Sequence, residues 1–153
     1  MILSLFITLI TFVAMEGVAW SAHKYLMHGA LWSWHHDHHD PKARSHTFFE
    51  KNDRFFLVFA IPSFFCFLTG LLSEYSFFTF IGLGILIYGF CYFLIHDVFI
   101  HQRFKWLRNA DSIYFRAIRK AHKMHHKHLG KEDGECFGML WVPIKYFKEA
   151  QKR

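Results

Sequence analysis

Apolar residues in this chain fall into three long blocks rather than short alternations. Met1–Trp20 carries a single charge, Glu16, and Phe55–Leu72 and Phe77–Ile95 carry none. Blocks of this length match the roughly 20 residues a helix needs to cross a hydrocarbon core of about 30 Å. They predict spans near 1–22, 55–72 and 77–95, and the remaining polar chain is too short to cover three such helices in water. Ser73-Glu74-Tyr75-Ser76 separates the last two blocks and reads as a helical hairpin turn. The first block has no basic start, and its apolar run exceeds that of a secretory leader, so it reads as an uncleaved anchor.

Two polar stretches also carry helix signals. Asn109–Ser112 offers N-cap residues and Gly130 a stop, predicting a helix over Ile113–His128. A shorter helix is expected over Trp34–Asp40, ended by Pro41. The segment Cys136–Ile144 is apolar but too short to span, which leaves it either in the interface or over a site.

Composition sharpens this picture. Of 153 residues 53% are hydrophobic, yet the net charge is +6. All 18 Lys and Arg lie in 24–54 or 103–153, and none lies before residue 24 or in the hairpin turn. Counting crossings puts residues 23–54 and 96–153 on one side of the membrane, and the positive-inside rule makes that side cytoplasmic. The expectation is an all-α integral membrane protein of one domain, 1–153, in a bacterial inner membrane. It would have about three to four transmembrane helices and a cytoplasmic histidine-rich cap. The basic surface suits an acidic partner or anionic lipid rather than nucleic acid. Cys66, Cys91 and Cys136 have no CxxC spacing, and no disulfide is expected on the cytoplasmic side.

The candidate chemistry lies in the histidines. Ten of the 13 form two repeats of one pattern: His23-x4-His28 and His35-x2-His38-His39, then His96-x4-His101 and His122-x2-His125-His126. Neutral imidazole is the commonest side-chain metal ligand. Ten in two matched sets exceed the four that a structural zinc needs and suit two ions with five ligands each. On a regular helix the x2-HH residues share one face. The x4 pairs diverge by about 140°, so they either flank a distortion or serve different ions. His36, His46 and His128 fall outside the pattern. Glu16, two turns before His23, and Asp97, beside His96, are candidates to orient a ligand imidazole.

These blocks resemble the membrane fatty-acid hydroxylase/desaturase superfamily, and within it the carotenoid ring hydroxylases. The resemblance rests on His23–Gly29, Trp34–His39, His96–Arg103 and Ala121–His126, with Gly130-Lys131-Glu132 and Phe137-Gly138 in the tail. His36 is an extra histidine that the motif does not require. The resemblance implies that the ten patterned histidines hold two Fe ions of a non-haem di-iron centre, which zinc can replace in purified protein. It implies O2 as co-substrate, a ferredoxin-type electron donor, and hydroxylation at C3 of the β-ionone rings of β-carotene. Acyl-chain or sterol oxidation within the same superfamily is the nearest alternative. A non-enzymatic membrane metal-binding protein is the alternative of another class.

Overall fold

The computed structural model describes residues 1–40, 42 and 48–152. Pro41 and His46 lie outside the described residues. Within them all regular structure is helical, in the order α1 (Ile2–Ser21), a π-helical segment (Ala22–Ala30), α2 (Trp32–His39), a 3-10 turn (Lys51–Phe55), α3 (Phe56–Leu72), α4 (Phe77–Phe93), a second π-helical segment (Leu94–Ile100), α5 (Ile113–His125) and α6 (Ile144–Gln151).

Three helices are long and apolar enough to cross a membrane: Ile2–Ala30, Lys51–Leu72 and Phe77–Ile100. Leu5, Leu9, Phe64, Phe65, Leu71 and Leu86 are exposed on them. An outward apolar surface of that extent suits lipid rather than water, and the chain is an integral membrane protein. The third span, containing α4, packs against both α1 and α3. Small residues allow the close approach. A Cβ on Gly84 would meet the Thr8 carbonyl and the Thr11 side chain at 2.7 Å, and one on Gly82 would meet the Ser63 carbonyl at 3.0 Å. Ser63 donates to the Gly82 carbonyl at 2.9 Å across the α3–α4 hairpin.

The ends of α1 and α4 and the start of α3 meet at one end of the bundle, where the polar segments form a cap. Ile118, Ala121, Met139, Val142 and Tyr146 make its apolar core. Ser112 caps α5 by accepting from the Phe115 amide. α5 ends at His125, short of the His128 expected from sequence, and α2 starts at Trp32 rather than Trp34.

Candidate metal centre

The x4 spacing finds its explanation in the two π-helical segments. In a π-turn the hydrogen bond runs five residues back, so residues i and i+5 stack on one face. The His101 amide donates to the His96 carbonyl at 2.9 Å, and the Leu31 amide to Leu26 at 2.8 Å. His23 and His28 rings are therefore only 5.3 Å apart, and those of His96 and His101 4.5 Å. Of the two arrangements left open by the spacing, the structure adopts the local distortion, and each pair serves a single cluster.

Two clusters result. His23, His28, His35, His39 and His125 present ring nitrogens within 4.8 Å of one another, and so do His38, His96, His101 and His122. His126 borders the second cluster, its ring 4.5 Å from His122 and 4.7 Å from His38, and stacks on His39 at 4.5 Å. All ten patterned histidines converge. His36 stays outside the clusters against Trp32, while His128 contributes only its carbonyl.

The outer nitrogens are anchored. Nδ1 of His23, His28, His39 and His125 faces the carbonyls of Phe137, Lys131, His128 and Glu135 at 3.0, 3.3, 3.0 and 2.8 Å. Nδ1 of His35 meets Asn52 Oδ1 at 2.7 Å, that of His38 meets Glu50 at 3.0 Å, and that of His96 meets Asp97 at 3.1 Å. Carbonyls and carboxylates only accept, so Nδ1 carries the proton and Nε2 a bare lone pair.

Those lone pairs face each other. Nε2–Nε2 separations are 3.2 Å for His23–His35, 3.1 Å for His39–His35, 3.3 Å for His28–His125 and 3.0 Å for His38–His96. Two acceptors at such distances repel unless a cation lies between them. Nitrogens each about 2.1 Å from one ion stand about 3.0 Å apart at a right angle and about 3.4 Å apart at a tetrahedral one. The clusters thus fit metal ions with more than four donors. Protons are poor substitutes. Burial first, then neighbouring imidazoles, hold His35, His38 and His122 well below the ordinary histidine value. His39 is lowered to about 4, by burial and then by His28.

Asp97 lies against the His96 imidazole. It accepts from His96 and, at 2.7 Å, from Arg103, which also pairs with Asp53. Glu16 does not take the expected place beside an imidazole. Its carboxylate accepts from the Tyr88 hydroxyl and from the backbone amides of Met139, Leu140 and Trp141. Sequence reasoning missed Asn52, Glu50, Arg103 and the four carbonyls. Arg103, Lys131 and Phe137 lie in the segments that carry the family resemblance, while Asn52 and Glu50 were marked only by their position just before a span.

A profile of the Fatty acid hydroxylase family matches residues 8–144, and the chain belongs to that family. A beta-carotene hydroxylase of Pantoea ananas is 38% identical over 137 residues, 90% of this chain and 76% of the relative. One from Paracoccus sp. (strain PC1) is 34% identical over 149 residues, 96% and 90% of the two chains. A chloroplastic beta-carotene 3-hydroxylase of Gentiana lutea is 37% identical over 136 residues, 86% of this chain and 40% of the relative. No solved structure matches significantly.

Proposed function

We propose that this protein hydroxylates C3 of the β-ionone rings of β-carotene, giving β-cryptoxanthin and then zeaxanthin. The opposed Nε2 lone pairs of the two buried clusters carry the metal chemistry of this reading. The relatives, which bear the name beta-carotene hydroxylase across most of the chain, carry the substrate. His23, His28, His35, His39 and His125 would hold one iron ion and His38, His96, His101, His122 and His126 the other. The pair supplies O2 activation when bound. One oxygen atom enters the ring C–H bond. The other leaves as water with two protons and two electrons, the electrons from a ferredoxin-type donor.

The chain's own residues position the reactants. Ala19, Ala22, Met27, Phe55, Phe59 and Tyr92 line a narrow apolar slot that ends on His96 and Asp97. Phe59 and Phe56 also belong to a wider apolar groove between α3 and α4, about 500 Å³ in volume. A lipid-dissolved polyene can lie in that groove; the slot, about 20 Å³ in volume, admits a ring only once its side chains move apart. Asp97, Glu50, Asn52 and the backbone carbonyls hold the imidazole protons on Nδ1. One surface cleft is net basic toward an acidic donor: Arg116 and Lys120 pair there with Asp111 and Glu149, and Arg119 and Lys123 add two further cations. The positive-inside pattern supports a cytoplasmic cap on a bacterial inner membrane.

Expression in aerobic bacteria that make β-carotene tests the reading. Zeaxanthin and β-cryptoxanthin are expected, and their absence with membrane-inserted protein present would overturn it. Hydroxylated acyl lipids or sterols instead would move the substrate within the superfamily.

A further inference from the structure

We infer that Glu16 is a positioning residue for one of the two clusters, acting from inside the first span through the tail after α5. The inference rests on the reading of that cluster as a metal site.

The tail supplies all four carbonyls that hold this cluster, that of His128 to His39 among them. Lys131, Glu135 and Phe137 accept from His28, His125 and His23 in turn. No helix or strand sets the backbone here, as residues 126–143 contain neither. One carboxylate holds it from the first span, beside the packing of Met139 and Val142 in the cap core and the Tyr114 hydroxyl on the Leu140 carbonyl. Glu16 Oε1 accepts from the Met139 amide at 2.9 Å, Leu140 at 3.1 Å and Trp141 at 3.0 Å, while Oε2 accepts from Tyr88 at 2.7 Å. Three successive amides turned to one anion form a nest. Tyr88 is fully buried and holds the carboxylate from the other side.

Gly138 is fitted to this contact. A Cβ there would lie 2.8 Å from Glu16 Oε1 and 2.7 Å from the Trp141 carbonyl. The nest begins two residues after Phe137, whose carbonyl meets His23, and Glu16 precedes His23 by two turns of the same helical rod. Glu16 and His23 are thereby clamped to neighbouring points of the tail. The second cluster draws outer contacts from Glu50 and Asp97 instead, so it lies outside the reach of Glu16.

The test uses full-length protein in detergent, loaded with Zn(II), with metal release to a chelator followed over time. In Glu16→Ala and Gly138→Val about one of the two equivalents should leave about tenfold faster, within the range for outer partners of metal ligands. The other equivalent should leave at the wild-type rate, and Glu16→Asp should fall between. Equal acceleration of both equivalents, or of neither, would overturn the inference. Nitrogen-15 spectra of the imidazoles give a metal-independent arm. Loss of the Nδ1–H form at His23, His28 and His125, with His38 and His96 unchanged, supports the inference; unchanged spectra at all five overturn it. Wild-type protein that retains no zinc would sink the metal reading, and the imidazole spectra would still decide the role of Glu16.

Discussion

His38 and His39 are consecutive in α2 and face different clusters. Nε2 of His38 lies 3.0 Å from that of His96, and Nε2 of His39 lies 3.1 Å from that of His35. Adjacent side chains diverge by about 100° on a helix, so α2 stands as a wedge between the clusters. α5 repeats the arrangement: His125 meets His28 in the first cluster, and His122 meets His101 in the second. Each half of the sequence repeat lends one histidine to the other half's cluster. The expected one-face clamp of the x2-HH blocks is therefore divided between two sites.

This exchange predicts separable losses. His39→Ala should lower bound metal from about two equivalents to about one by emptying the first cluster, and His38→Ala should do so by emptying the second. Each should reduce turnover by at least about a hundredfold while leaving the protein in the membrane fraction. Metal analysis of purified variants checks this. Full metal content and activity in either variant would remove that residue from the ligand set.

Asn52 offers a milder case. Its Oδ1 accepts from His35 Nδ1 at 2.7 Å, and the residue is buried. In Asn52→Leu the imidazole loses the acceptor that holds its proton on the outer nitrogen. Metal affinity should fall about ten- to a hundredfold, with helical content unchanged. Asn52→Asp keeps an acceptor and should retain most of the affinity, as competition with a graded chelator series would show.

The spans were legible because a membrane leaves a helix no choice. Its backbone must bond internally and its surface must be apolar over about 20 residues. The histidine blocks were legible because ligation needs a particular side chain. The π-turns were not, since a five-residue step fits either a distortion or two sites, and hydrogen bonding settles which. The outer contacts were hidden for another reason. A carbonyl exists at every residue, so even where Phe137 sits in a matching motif, no side-chain pattern says that its carbonyl turns to His23. Glu16 stood out as an acid within an apolar block, but its partners are the Tyr88 hydroxyl and three amides 123 to 125 residues away.

Arg103 joins the start of the second span to the end of the third. Its guanidinium donates to Asp53 at 2.7 and 2.8 Å, to Asp97 at 2.7 Å and to the Phe48 carbonyl at 2.7 Å. Asp97 is 3% exposed, so losing its cation leaves a buried charge uncompensated. Arg103→Ala should destabilise the cap by about 3–5 kcal/mol and loosen His96. Arg103→Lys should rescue little, because an ammonium cannot reproduce the planar fork shared between two carboxylates. Unfolding of both variants in detergent measures the first effect and metal retention the second. A lysine variant of wild-type stability would show that charge alone suffices.

Metal removal should soften the cap and spare the hairpin. Without an ion, the Nε2 lone pairs of His23, His35 and His39 confront one another at 3.1–3.2 Å, and burial opposes the protons that would relieve them. The imidazoles must move apart, and the π-turns and tail that hold them must follow. A ligand at a thousand times its dissociation constant stabilises the folded state by about 4 kcal/mol. The expected outcome is a lower unfolding temperature after chelation, with faster amide exchange in 22–30, 94–100 and 131–141. The α3–α4 hairpin closes through Ser63, Gly82 and apolar packing rather than through histidines, so its exchange should stay slow. Uniform acceleration across all three spans would mean that the metal holds the whole bundle rather than the cap.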